Sequence, residues 1–293
     1  MQFNEIGEQL RAFRQESGLR AEEIAARIGV SRAALYRYEK GEVIKLDTVK
    51  RLAELLKISP LALLGVGIEY YSRSAGFLER LRQVEETADQ ILQVEGPVSY
   101  LITSEDYDST LRNVFAEIAE RAAPAGQAAA LRATAEQVLR IVGLRKRSYR
   151  ERRPAIIALL SAPAVERFLA EGVAGSIALS EPLRRRCRDI AAGEIERIVS
   201  LIESEPIGLQ FGLLPGPGPV GAFMVLRGRD RSTLALNPFR LDVHPLESSG
   251  VAMIIAAEEP VAAHQRAAEL LWQGAAKGAP AVARLREMLA AVR

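Results

Sequence analysis

Two residues, Gly29 and Val30, separate the amphipathic stretch "RAEEIAARI" from "SRAALYRYEKG", and this short spacing constrains the fold more than any other feature of the chain. In the first stretch Ile24, Ala25 and Ile28 share a helical face, and Gly29 ends it with a residue type that tolerates a left-handed backbone. Ser31 is a good N-cap for the helix that follows. So short a connection forces the two helices to cross steeply, and Ala25 is small enough to permit their close approach. Upstream, Ile6, Leu10 and Phe13 recur at helical spacing before Gly18. Downstream, Leu46, Val49, Leu52, Ala53 and Leu56 form one side of a fourth helix. Ser59 and Pro60 then cap and open a short fifth one. The expectation is an all-α, five-helix domain over residues 1–67.

The third helix has two unlike faces. At about 100° per residue, Arg32, Ala33, Tyr36, Arg37 and Lys40 fall within an arc of roughly 140°, whereas Leu35 and Tyr38 point the other way. In isolation a charged stripe of this kind is usually a solvated helix face. Here the cap, the glycine turn and the small crossing residue all support the same arrangement, which favours a binding surface.

The order and spacing of Ala25, Gly29, Val30, Ser31, Leu35, Tyr38, Glu39 and Gly41, then Leu52, Ala53, Leu56 and Leu61, resemble the helix-turn-helix domains of the Cro/CI repressor, or XRE, family. The resemblance covers residues 6–65. It implies that the third helix enters the major groove of double-stranded DNA, with Arg32, Ala33, Tyr36 and Arg37 facing the bases. It places Arg20, Ser31, Lys40 and Lys45 against phosphates, and it implies a structural ion pair between Arg14 and Glu39. Where the family often carries a glutamine at the start of the second helix, this chain has Ala21, so that contact is lost or passes to Arg20. The resemblance also implies a repressor, and a homodimer in which each module reads one half-site.

Beyond Gly67 the stretch "IEYYSRSAG" reads as a hinge, and residues 68–96 as a linker. Within it Phe77, Leu81, Val84, Ala88 and Ile91 repeat with 4-3-4-3 spacing. A helix with that pattern either packs on its own domain or pairs two chains as a dimerisation helix. Residues 97–293 read as an α+β domain, with two long helices from Ser109 to Arg152 and then the strand "AIIALLS". Further strands are expected at "IGLQFGLLP", "GAFMVLRG", "STLALNPF" and "GVAMIIAAEE", forming a mixed sheet with helices packed on it. The order of elements resembles the phospholipase-D-like effector domains of some transcription regulators. The catalytic His-x-Lys pattern is absent, since "AHQRAAEL" has Arg266 where lysine is required.

Composition narrows the function. A net charge of +2 excludes nonspecific polyanion binding driven by total charge, so DNA contact must come from charges gathered on one surface. One cysteine, Cys187, precludes an internal disulfide and fits a reducing cytoplasm, and four neighbouring arginines are in a position to lower its thiol pKa. No apolar run approaches the roughly 20 residues of a membrane span. His244 and His264 stand in unrelated contexts, and there is no zinc spacing, phosphate-binding loop or nucleophile elbow. The chain is therefore not expected to be an enzyme or to need a cofactor. Arg227, Arg229, Arg231 and Arg240, next to predicted strand ends, form a candidate site for an anionic effector, although exposed turn charges explain them equally well. The reading is a DNA-binding regulator whose C-terminal domain dimerises and senses a small molecule. The alternatives are a C-terminal domain that binds a protein partner, and an enzyme tethered by the helix-turn-helix.

Overall fold

The computed structural model describes residues 3–58, 60–63, 67–94, 96–122, 125–217, 222–239 and 250–292. Five helices come first: α1 (Phe3–Ser17), α2 (Ala21–Ile28), α3 (Arg32–Glu39), α4 (Leu46–Leu56) and α5 (Pro60–Leu63). Gly29 ends α2 at φ 71°, and its N–H and that of Val30 donate back to Ala26 and Ala25. These paired bonds satisfy the last carbonyls of the helix and turn the chain sharply into α3. Ser31 Oγ accepts from the Ala34 N–H at 3.0 Å, the expected N-cap. Leu10, Phe13, Ile24, Ala25, Ile28, Leu35, Val49 and Leu52 are buried together. Leu46 departs from the expectation: it is the first residue of α4, one turn short of the core that begins at Val49, and it stands 66% exposed. The expected cap at Ser59 lies outside the described residues.

The rest of the chain builds a seven-stranded sheet and its covering helices. In order these are β1 (Ile68–Tyr71), α6 (Ser74–Thr87), β2 (Ala88–Val94), a short 3-10 turn (Tyr100–Ile102), α7 (Glu105–Arg121), α8 (Ala125–Arg152), β3 (Ala155–Ser161), α9 (Ala162–Glu171) and α10 (Glu181–Ser204). They are followed by β4 (Leu209–Leu214), β5 (Phe223–Gly228), β6 (Ser232–Leu236), β7 (Ala252–Ile255), α11 (Glu258–Gly274) and α12 (Ala279–Ala291). Strand order is β1-β7-β6-β5-β2-β3-β4. The strands β2, β3 and β4 are parallel, joined by the helical crossovers that parallel strands need, and the other neighbours are antiparallel. Alternate residues serve opposite faces. Ile91, Ile156, Ala158, Leu226 and Ile254 join the core shared with most of the helices, while Leu92, Leu159, Val225, Leu234 and Ile255 join a smaller one beside α11. Among the described residues no helix is long and apolar enough to cross a membrane.

The linker expected over residues 68–96 is not one. β1 pairs with β7 at one edge of the sheet, and β2 lies in its middle. The 4-3 repeat continues only as far as Val84 on a helix; Ala88 and Ile91 belong to β2, where "ADQILQV" pairs on both sides. Helix α6 is buried nearly all round, including Glu79, Arg80, Gln83 and Glu85, so within one chain it leaves no seam for a dimer. Polar residues hid this core helix from a reading based on apolar spacing.

Instead of a hinge, the two modules share a core. Phe13 of α1 stacks on Tyr71 of β1 with ring centroids 5.5 Å apart and planes 6° from parallel. Beneath them Glu69, buried, accepts two hydrogen bonds from Arg80 (2.9 and 3.0 Å), one from the Tyr71 hydroxyl (2.6 Å) and one from Gln9 Nε2 of α1 (3.3 Å). Burial, reinforced by Glu69, pushes the Tyr71 phenol well above its ordinary range, so it stays a donor. Glu16 of α1 accepts from Ser72 and from the Arg73 N–H at the entry to α6, capping that helix from the other module.

Two cations of "LRKRSYRERRP" are also interior. Arg145 makes a two-bond pair with Glu85 (2.8 and 2.7 Å), and Lys146 reaches Asp108 at 2.7 Å. Burial draws the Lys146 pKa down, against the opposing pull of Asp108. Cys187 is buried too. Burial pushes its thiol up to about 11 and outweighs the downward pull of Arg188, while Arg184, Arg185 and Arg186 turn outward, so the shift is opposite to the one its arginine neighbours suggest.

Two outcomes follow from this packing. Phe13→Ala is expected to lower stability by about 3–5 kcal/mol and to split a single calorimetric transition into two; an unaltered single transition would contradict the shared core. Native protein at neutral pH should alkylate at Cys187 with iodoacetamide only as fast as it unfolds, so rapid labelling without denaturant would overturn the burial assigned to the thiol.

Candidate nucleic-acid interface

The outward face of α3 is built from its two ends. Ser31 fixes where the helix begins, and the buried Ala34 and Leu35 fix its rotation, which leaves Arg32, Ala33, Tyr36, Arg37 and Lys40 exposed together. Arg32 lies over the Tyr36 ring with its guanidinium carbon 5.4 Å from the centroid, and its Nη2 donates to the Tyr36 hydroxyl at 3.4 Å. Both arginines of this face hold carboxylates in the free protein: Arg32 pairs with Glu22 at 2.6 Å and Arg37 with Glu42 at 3.0 Å. All four side chains are more than half exposed, so these pairs are screened and exchangeable. A phosphate or a guanine edge competes with each of them directly. Neither acid was singled out in the sequence, although Glu42 lies five residues from Arg37 on the turn that follows α3.

Behind this face stands the expected ion pair. Arg14 Nε and Nη2 donate to Glu39 Oε1 and Oε2 at 2.5 and 3.1 Å, a two-bond clasp with both side chains largely buried. Burial, the largest influence on Arg14, pulls its pKa down; the bonds and charge of Glu39 outweigh it and hold the guanidinium above its ordinary value. The clasp needs α1 close to the end of α3. Gly7 provides that closeness, since a Cβ there would lie 2.6 Å from the Tyr38 carbonyl oxygen and 2.8 Å from that of Glu39.

The residues expected at phosphates ring the same surface. Arg20 is the exposed N-cap of α2, with its N–H donating to Glu23 Oε2 at 2.9 Å. Ala21, where the family often has glutamine, is buried and cannot reach outward. Ser31 accepts a cap bond and keeps its hydroxyl proton to give. Lys40 follows α3 and Lys45 is the N-cap of α4, and both are exposed. Arg51, not anticipated, donates to the Ile28 carbonyl at 3.1 Å and to Asp47 at 2.6 Å, tying α4 to the α2–α3 turn.

This segment also matches known proteins. Residues 5–64 match a family model described as a helix-turn-helix domain. That match agrees with the resemblance of the N-terminal segment to the Cro/CI, or XRE, helix-turn-helix domains. The chain is similar to the HTH-type transcriptional repressor RghR of Bacillus subtilis (strain 168), with 38% identity over 93 residues. Those residues make up 30% of this chain and 63% of that relative, so the chain spans less than two thirds of the relative's length.

Away from the helix-turn-helix, the described arginines of the other candidate cluster lie at the end of β5 and in the turn that leads to β6. Arg227 Nη1 donates to Gln90 Oε1 at 3.0 Å, and Arg229 and Arg231 are exposed where β5 turns into β6. Arg240 lies outside the described residues, as does His244.

Removing one side of the clasp should weaken the support of α3. Glu39→Gln is expected to destabilise the protein by on the order of 3 kcal/mol, and amide exchange measured by NMR should accelerate first in α3. Uniform or unchanged exchange would show that the clasp does not hold this helix.

Proposed function

We infer that the protein is a DNA-binding transcriptional regulator, a repressor by its similarity to one, that reads operator DNA with α3. One observation carries the reading: Arg32, Ala33, Tyr36 and Arg37 form a single exposed surface whose helix is clasped from behind by Arg14 and Glu39. An α-helix of this width fits the major groove. There Arg32 and Arg37 can each take a guanine edge by two hydrogen bonds, and Ala33 can meet a thymine methyl. Arg20, Ser31, Lys40 and Lys45 hold phosphates on either side and fix the register. The groove is intensely negative, so Glu22 and Glu42 give up their arginines on binding, and both exchanges weaken with salt.

One such module covers a half-site. Two copies with their α3 helices about 34 Å apart read successive major grooves, which supports a homodimer. The C-terminal domain serves as the dimerising and effector-sensing part, and its ligand shifts DNA affinity to the extent that it prefers one arrangement of the two modules.

The test begins with selection of bound duplexes from a random pool. On the selected duplex Arg37→Ala is expected to lose at least tenfold in affinity, about 1.4 kcal/mol, with an unchanged melting temperature. Equal affinity of the two proteins in a gel-shift series, or no enrichment of any duplex, would contradict the assignment.

A further inference from the structure

At the carboxyl ends of the parallel strands β2 and β3 the sheet opens into a crevice of about 330 Å³. Val94, the last residue of β2, Phe223, the first of β5, and Phe168 of α9 line it together with Tyr100, Tyr107 and Phe239. Ends of parallel strands, where loops leave the sheet, are where open sheets of this kind hold ligands. A mostly apolar lining with a few polar groups is the usual composition of a small-molecule site.

Two features give that site a preferred charge. Arg167 of α9 stands exposed on the lining and makes no ion pair with any described residue. Its planar guanidinium can offer two parallel N–H groups to a carboxylate. Ala164, in the first turn of the same helix, also lines the crevice, so the positive end of the α9 dipole faces it.

The crevice is also wired to α1. The Asn237 side-chain oxygen, on the lining, accepts from the Phe239 N–H at 3.0 Å, which ties the backbone at Phe239 to the lining. The Phe239 ring packs edge-on against Phe77 of α6 with centroids 6.0 Å apart. Phe77 meets Tyr71 at 6.2 Å, and Tyr71 stacks on Phe13 of α1 at 5.5 Å. Four rings thus lead from the wall of the crevice to the helix that clasps α3. Phe13, Tyr71 and Phe77 are fully or almost fully buried, and a close-packed interior passes on a displacement it has no room to absorb.

We propose that this crevice is the effector site, that it takes a small molecule with an apolar body and one carboxylate, and that Phe239 passes its occupancy to α1. The proposal rests on the reading of the C-terminal domain as a sensor. It differs from the arginines at 227–231 as a site because it is a crevice with an apolar lining and touches the path to α3.

The test uses the full chain and four probes: octanoate, indole-3-acetate and the uncharged amide of each. Calorimetric titration should show saturable binding of at least one carboxylate at millimolar concentration or below, with its amide at least tenfold weaker. Arg167→Gln, an exposed helix substitution that should leave the melting temperature unchanged, is expected to weaken that carboxylate at least tenfold. Hydrogen–deuterium exchange should change in the α1 peptides when the carboxylate binds. In Phe77→Leu, a change on the ring path but outside the crevice lining, the carboxylate should still bind, with the response in α1 gone. No heat from either carboxylate, an amide bound as tightly as its acid, or indifference to Arg167→Gln overturns the site; an α1 that ignores the bound carboxylate in the parent overturns the relay. None of these readouts uses DNA, so failure of the parent to enrich any duplex would sink the regulator assignment separately.

Discussion

Helix α1 is gripped on two flanks, and the placement of both modules depends on it. Phe13 stacks on Tyr71 of the sheet domain, while Arg14, one residue later and about 100° further round the helix, clasps Glu39 at the end of the reading helix. Adjacent residues thus face different modules. Glu16 adds a cap on α6 from the same helix, and Gln9 adds a bond to the buried Glu69. A helix held this way cannot turn toward one partner without leaving the other. Orientation of the reading face is therefore set by the sheet domain and not by a flexible tether.

Charge is buried along this junction and beside it. Glu69 with Arg80, Glu85 with Arg145 and Asp108 with Lys146 form a row of interior ion pairs on β1, α6, α7 and α8. Desolvation offsets much of the attraction in such pairs, so their net stabilisation is small, whereas loss of either partner strands a charge in an apolar interior. Their structural consequence is selectivity of packing: an apolar helix face tolerates sliding, and a two-bond arginine clasp does not. The free reading face follows the opposite rule. Its arginines hold exposed carboxylates that water and salt already weaken, which leaves them available to a stronger anion.

The five N-terminal helices were legible in the sequence because their signals are local. A glycine at positive φ, a serine cap and apolar residues at helical spacing each act within a few residues, and the Arg14–Glu39 clasp followed from family resemblance. β3 to β7 were legible for a related reason, since each is a short apolar run between turn residues. The misread part lies in between. In α6, Glu79, Arg80, Gln83 and Glu85 look solvent-facing in sequence, yet partners distant in the chain bury them. β1 shows as a strand only through β7, about 180 residues away, and β2 follows α6 without a break, so the helical repeat ran on past Thr87. The crevice was invisible for the same reason, since it is assembled from residues that only the folded sheet brings together.

The central claim is that one rigid helix joins an outward-facing α3 to the sheet domain, and a crystal structure of the full chain on a selected duplex tests it most directly. The account predicts the Arg32 to Arg37 face inside the major groove, with Phe13 still stacked on Tyr71 and Arg14 still clasping Glu39. A reading face lying outside the groove, or α1 detached from β1 in the bound state, would contradict it.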